Sequence, residues 1–207
     1  MKHIALLTTL LLSASLQAVE KPYDYVFFEN SLMKGDYFYS QAKYTSPSWI
    51  KNARHHLPVA GSVAFTPGNS LELTYVSAPG GDWYSEIQYC PVRGNDFFRE
   101  PSTLSMQVRL RESMNAAALP NIAIRYADST YTQYLNLRNY LKDTRPGVWH
   151  SVSIPLKDFG LNAVNDTNIK KLAAVALRPG TADGNEYTIY LDDIELLPAS
   201  LPSVSAL

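Results

Sequence analysis

The sequence predicts an all-β fold, a sandwich or jelly roll of two antiparallel sheets with little helix. Three observations carry this. Apolar and polar residues alternate with period two over several short segments, most clearly at Leu104, Met106, Val108 and Leu110, with Ser105, Gln107, Arg109 and Arg111 between them. Gly/Pro turn signals such as Thr66-Pro67-Gly68-Asn69 and Ala78-Pro79-Gly80-Gly81-Asp82 separate the segments. Helical periodicity is nearly absent, and many short strands with such turns pack as a sandwich rather than as layers of helix on sheet.

The elements follow in order. Residues 1–18 read as a cleavable secretory signal peptide. Lys2 supplies the positive start, Ile4 to Leu12 is apolar apart from Thr8 and Thr9, and Ser13 to Ala18 is small and polar ahead of Val19. The apolar run is too short to anchor in a bilayer, and no other segment is long and apolar enough to span one. The expected location is therefore secreted or periplasmic, without a lipid anchor, because no Cys stands at the cleavage position. Strands are expected at Tyr23–Phe28, Ser62–Phe65, Leu71–Tyr75, Trp83–Cys90, Leu104–Arg111, Ile122–Tyr126, Tyr131–Arg138, Trp149–Leu156, Leu172–Leu177 and Tyr187–Leu196, about nine to eleven in all. Asp166 to Leu172 and Asn139 to Lys142 are expected to form helical turns. One domain spans 19–197, and 198–207 forms a flexible tail.

Composition narrows the function. The formal net charge is −1, one unit more negative once the leader with Lys2 is gone, and no basic run stands out. This argues against nucleic acid or an anionic membrane as partner. Cys90 is the only cysteine and reads as a small buried hydrophobe, so stability must come from the core or a bound metal rather than from disulfides. The 14 Tyr outnumber the 7 Phe two to one, which suits sheet faces with exposed rings.

Alternation also supplies a candidate face. With Leu135 and Leu137 in the core, Thr132, Tyr134, Asn136 and Arg138 point outward, and with Ile87 inward, Tyr84, Glu86 and Gln88 do the same. Arg125 is outward opposite Ile124. Rings to stack on sugar C–H groups, beside amides and guanidinium groups to bind hydroxyls, form the mixture that sugar recognition uses. The same residues also describe an ordinary solvated sheet face. Trp83 and Trp149 start strands and read as core, while Trp49 and the Asp96-Phe97-Phe98 loop are alternative platforms.

Asp192 and Asp193 interrupt an apolar strand, Tyr187 to Leu196, where carboxylates are depleted. A buried one must be bonded, paired or metal-bound.

Several segments, in order, resemble galactose-binding-like β-sandwiches, including carbohydrate-binding modules of bacterial glycan-degrading enzymes. These are Trp149-His-Ser-Val-Ser-Ile-Pro-Leu-Lys-Asp-Phe159, Ile189-Tyr-Leu-Asp-Asp-Ile-Glu-Leu196, Phe28-Glu29 and Gly80-Gly81-Asp82-Trp83. The resemblance implies a structural Ca2+ held by Glu29 with Asp192 or Asp193, and by Asp24, Asp36 and loop carbonyls as further ligands. Such oxygen donors suit calcium. It also implies a polysaccharide or oligosaccharide ligand, with glycan-degrading enzymes as associates.

Two alternatives remain open. A jelly-roll lyase could use Tyr84, Gln88, Tyr134 and Arg138, and a glycoside hydrolase could use Glu86, but no second carboxylate can be named for it. His55-His56 diverge on a strand and make a poor zinc pair, and neither Gly-x-Ser-x-Gly nor His-Glu-x-x-His occurs. The other alternative is an envelope protein-interaction domain that uses the same aromatic face. The reading adopted is a non-catalytic carbohydrate-binding protein.

Overall fold

The computed structural model describes residues 25–90, 101–161 and 171–198. Twelve strands among these residues form two antiparallel sheets. They are β1 (Tyr25–Phe28), β2 (Ser40–Thr45), β3 (Trp49–Ile50), β4 (Val59–Ala60), β5 (Ser70–Val76), β6 (Asp82–Gln88), β7 (Pro101–Leu110), β8 (Asn121–Tyr126), β9 (Leu135–Asn136), β10 (Trp149–Pro155), β11 (Leu172–Arg178) and β12 (Glu186–Pro198). One sheet has the order β10-β7-β12-β5-β3, with β1 also on β12 and β4 also on β5. The other has the order β2-β6-β11-β8-β9. The sandwich expected from periodicity is what forms.

The core lies between the sheets and follows from the pleat. Leu104, Met106, Val108 and Leu110 of β7 share one buried cluster with Trp83 and Ile87 of β6, Ile122 and Ile124 of β8, and Val175 and Leu177 of β11, all essentially without solvent contact. Trp83 packs against Tyr75 at 4.8 Å between centroids with the rings tilted by 41°, and its indole N–H donates to Ser77 Oγ at 2.9 Å. A buried indole must find such an acceptor. Gly81 precedes this strand because a Cβ there would meet the Ser48 amide nitrogen at 2.2 Å. Cys90 is buried just beyond β6.

The strand β12 forks. Glu186 to Leu191 pairs with β5, whereas Ile194 to Leu196 pairs with β1, and β7 runs along the other side from Ile189 to Pro198. The bulge between the two halves falls at Asp192 and Asp193, and Asp193 has a left-handed φ of 45°. At this fork the Asp192 carboxylate does what a neighbouring strand would do. Its Oδ2 accepts the Phe65 and Thr66 amides at 2.8 and 3.2 Å, and its Oδ1 accepts the Asp193 amide at 2.9 Å. Ser62 to Phe65 is therefore not a strand, as the sequence suggests, but part of a loop that caps the fork.

Other expectations shift in the same way. Within Tyr131–Arg138 only Leu135–Asn136 is strand, and a short 3-10 turn, Leu137–Asn139, falls where a helical turn was expected slightly later. Trp149 is not core: it is half-buried at the start of β10, edge-on to Phe65 at 6.0 Å. The leader, the Asp96-Phe97-Phe98 loop, the Asp166 turn and the tail beyond Pro198 lie outside the described residues. No helix among the described residues is long and apolar enough to cross a membrane.

Candidate functional site

The outer face of the five-stranded sheet carries the candidate site, a groove. Cross-strand register brings its side chains together: Gln41 and Lys43 of β2 stand opposite Glu86 and Tyr84 of β6, and on β11 Ala176 stands opposite Glu86 and Ala174 opposite both Gln88 and Arg125. The small Ala174 and Ala176 leave a trough between the taller residues of β6 and β8. A groove of about 410 Å³ results, lined by Gln41, Lys43, Tyr84, Glu86, Arg125, Ser129, Tyr131 and Arg178. That volume lies within the range of small-ligand sites.

Glu86 and Arg125 form the floor. Arg125 Nε lies 2.5 Å from Glu86 Oε1, and both side chains are largely buried, at 16% and 5% exposure. The N–H is not aligned on the carboxylate, so the contact is an ion pair rather than a directed hydrogen bond. Arg125 also donates from Nη1 to the Tyr126 carbonyl at 3.0 Å.

Tyr131 reaches the floor because the chain turns sharply after β8. The Tyr126 amide donates to the Thr130 carbonyl, Asp128 caps the turn through the Thr130 amide, and Tyr131 bridges back to Arg125. The Tyr131 hydroxyl donates to Glu86 Oε1 at 3.3 Å and lies 3.1 Å from the Tyr84 hydroxyl. Burial first, then the neighbouring Glu86 charge, raises the Tyr131 phenol above its usual range, so it stays a donor.

The wall is aromatic and cationic. Tyr131 and Tyr134 stack at 6.0 Å, and the Arg178 guanidinium lies 5.7 Å from the Tyr84 ring centre and 5.5 Å from that of Tyr134. These are cation–π distances. Arg178 also stands 4.0 Å from Asp82. Burial raises the Tyr134 phenol, whose buried hydroxyl has no aligned hydrogen-bond partner. The arrangement offers ring faces, fixed hydroxyls and charged donors in one trough.

Of the residues expected to bind ligand, Tyr84, Glu86 and Arg125 line the groove, and Tyr134 backs it through Tyr131 and Arg178. Three stand elsewhere. Gln88 is one step along the same face, beyond the groove lining. Asn136 caps the 3-10 turn, accepting the Arg138 amide and donating to Asn121 Oδ1 and the Leu119 carbonyl. Arg138 is exposed on that turn. Gln41, Lys43, Ser129, Tyr131 and Arg178 also line the groove and were not among the residues expected from the sequence. Arg178 was within reach, as it follows Leu177 on the outward alternation of β11.

The described residues named for calcium each have other partners or places in the structure. Asp192 is taken up by three amides, both Asp193 oxygens accept the Thr66 hydroxyl, and Asp36 pairs with Arg54 at 2.8 Å. Glu29 follows directly after β1, Asp24 lies outside the described residues, and no group of three His, Cys, Asp or Glu gathers among the described residues.

A β-sandwich of two antiparallel sheets is the fold that carbohydrate-binding modules share with this chain. Residues 24–197 match the family described as carbohydrate binding domain 30, and the chain belongs to that family. It is 99% identical over its 207 residues to an exo beta-1,2-glucooligosaccharide sophorohydrolase (non-reducing end) of Parabacteroides distasonis, and spans 29% of that protein's length. The solved beta-1,2-glucanase from P. distasonis matches with a TM-score of 0.85 at 99% identity, over 90% of this chain and 27% of that one. The family 30 carbohydrate-binding module of a cellulosomal cellulase of Clostridium thermocellum shares the fold at a TM-score of 0.59 and 16% identity, over 86% of this chain and 99% of that one.

Proposed function

We propose that this chain is the non-catalytic glucan-binding part of a longer β-1,2-glucan-degrading protein, and that it holds a β-1,2-linked glucooligosaccharide in the groove on the five-stranded sheet. The observation that carries this is the trough in which Tyr84, Tyr131 and Arg178 surround the Glu86–Arg125 pair. Pyranose rings stack on aromatic faces, and hydroxyls bond to the phenols, Gln41 and the charged floor. Near-identity to the P. distasonis hydrolase supports the choice of glucan.

The groove argues against hydrolysis on this chain alone. A glycosidase sets two carboxylates across the scissile bond. Among the lining residues only Glu86 is acidic, and Arg125 already engages it.

Isothermal titration of the 207-residue chain with linear β-1,2-glucooligosaccharides tests the reading. Saturable binding that weakens at least tenfold in Tyr131→Ala is expected, with no release of shorter sugars. Equal binding by Tyr131→Ala, or no binding to β-1,2-glucan at all, would overturn it.

A further inference from the structure

A second surface lies outside the groove, at the loop between β1 and β2. Leu32 is 97% exposed, and Met33 and Phe38 are 49% and 64% exposed. Together with Tyr37, Tyr39 and Cys90 they line an apolar pocket of about 280 Å³.

The loop presents these side chains from a fixed backbone. The Ser31 amide donates to Asn69 Oδ1 at 2.9 Å, Asn69 Nδ2 returns a bond to the Ser31 carbonyl, and Asn30 Oδ1 accepts the Asn69 amide. At the other end, the Val59 amide bonds to the Gly35 carbonyl, and the Arg54 guanidinium holds Asp36 through two bonds. Tyr37 is anchored by its hydroxyl to the Phe27 carbonyl at 2.7 Å. A loop pinned at both ends, with a nearly bare leucine at its tip, has the form of a built contact.

The position of this collar is informative. Tyr37 to Tyr39 lead directly into β2, whose Gln41 and Lys43 form one rim of the groove. A body seated on the collar would stand beside that rim. The near-identical P. distasonis hydrolase is more than three times the length of this chain, so such a body exists there in the same polypeptide.

We infer that the Leu32–Met33–Phe38 collar is the surface on which the remainder of the longer polypeptide docks, which sets the groove's β2 rim against it. The inference shares with the proposed function only the premise that the chain is one part of that polypeptide. Apolar residues from the docked body fill the pocket and cover Leu32, as in contacts between domains of one chain.

Covalent footprinting of the longer protein and of the 207-residue chain tests this without any sugar. Labelling of Leu32, Met33 and Phe38 is expected to fall at least tenfold in the longer protein, while Leu32 stays reactive in the short chain at every concentration. A Leu32→Ser/Phe38→Ser variant of the longer protein is expected to become cleavable between its parts by limited proteolysis. The same variant of the short chain should keep its melting temperature. Equal labelling in the two proteins would overturn the inference. So would protection already present in the short chain, whether it rises with concentration, as for a second copy, or does not, as for cover by the chain itself. Failure to bind β-1,2-glucan would leave these labelling outcomes unchanged, so the two readings fail separately.

Discussion

Arg125 and Glu86 make a buried ion pair at the floor of the groove, 2.5 Å apart, and the Tyr131 hydroxyl rests on the same carboxylate oxygen. One contact thus joins the sheet's stability to the geometry of its binding face. Removing one member of such a pair leaves an uncompensated buried charge, at a cost of about 3–5 kcal/mol. Glu86→Ala is expected to lose that much in urea unfolding and to release Tyr131. A double Glu86→Met/Arg125→Met variant, apolar on both sides, should recover most of the stability but not glucan binding. If the single and double variants are equally unstable, the pair is not the cause.

The groove residues should separate from their neighbours in titration. Tyr84→Ala and Arg178→Ala each remove part of the aromatic and cationic wall, and each is expected to weaken oligosaccharide binding by roughly tenfold, about 1.4 kcal/mol. Arg138→Ala, on the exposed turn after β9, should bind as the unaltered protein does. An Arg138→Ala loss matching that of Tyr84→Ala would move the site off the groove.

Which of these residues can be read from sequence depends on how local their geometry is. The floor and one wall, Tyr84, Glu86 and Arg125, follow from strand alternation, because β6 and β8 are regular and half-buried. Tyr131 does not, because the turn capped by Asp128 takes it out of strand geometry. Gln41 and Lys43 were missed because β2 is a short edge strand of mainly polar sequence, with only Ser40 and Ala42 buried. The resemblance indicated the correct family. It also implies a calcium-ligand role for Asp192, a carboxylate that the structure bonds to three amides.

Calcium offers a direct test of that difference. With Asp192 bonded to three amides and Asp36 to Arg54, chelation with EDTA is expected to leave the melting temperature unchanged. A calcium-dependent rise of several degrees, lost in Glu29→Gln, would instead establish the metal.

The same carboxylate should leave a mark on the pH profile. Burial raises Asp192 from its ordinary 3.8 to about 6, against the Phe65, Asp193 and Thr66 amide bonds, which lower it. Between roughly pH 4 and 6 the folded chain then holds a proton that the unfolded chain has released. The associated stability is present in full below the lower value and is lost as pH rises through the upper one, an effect of about 2–3 kcal/mol. Asp192→Ala removes this pH dependence and strands three amides, so it should be destabilised by about 3 kcal/mol even at pH 5. A variant profile parallel to the parent's would show that Asp192 keeps its ordinary affinity for protons.

The fork in β12 also orders events in time. Its first half closes the sheet against β5, its second half holds β1, and β7 needs it along most of its length. Strands β1, β5 and β7 therefore wait for β12, the last of the described strands to be synthesised. Contacts of such long sequence separation form slowly. On the ribosome the sandwich cannot close until residue 198 has emerged, and in a longer polypeptide whatever follows begins to appear just as this part completes its fold.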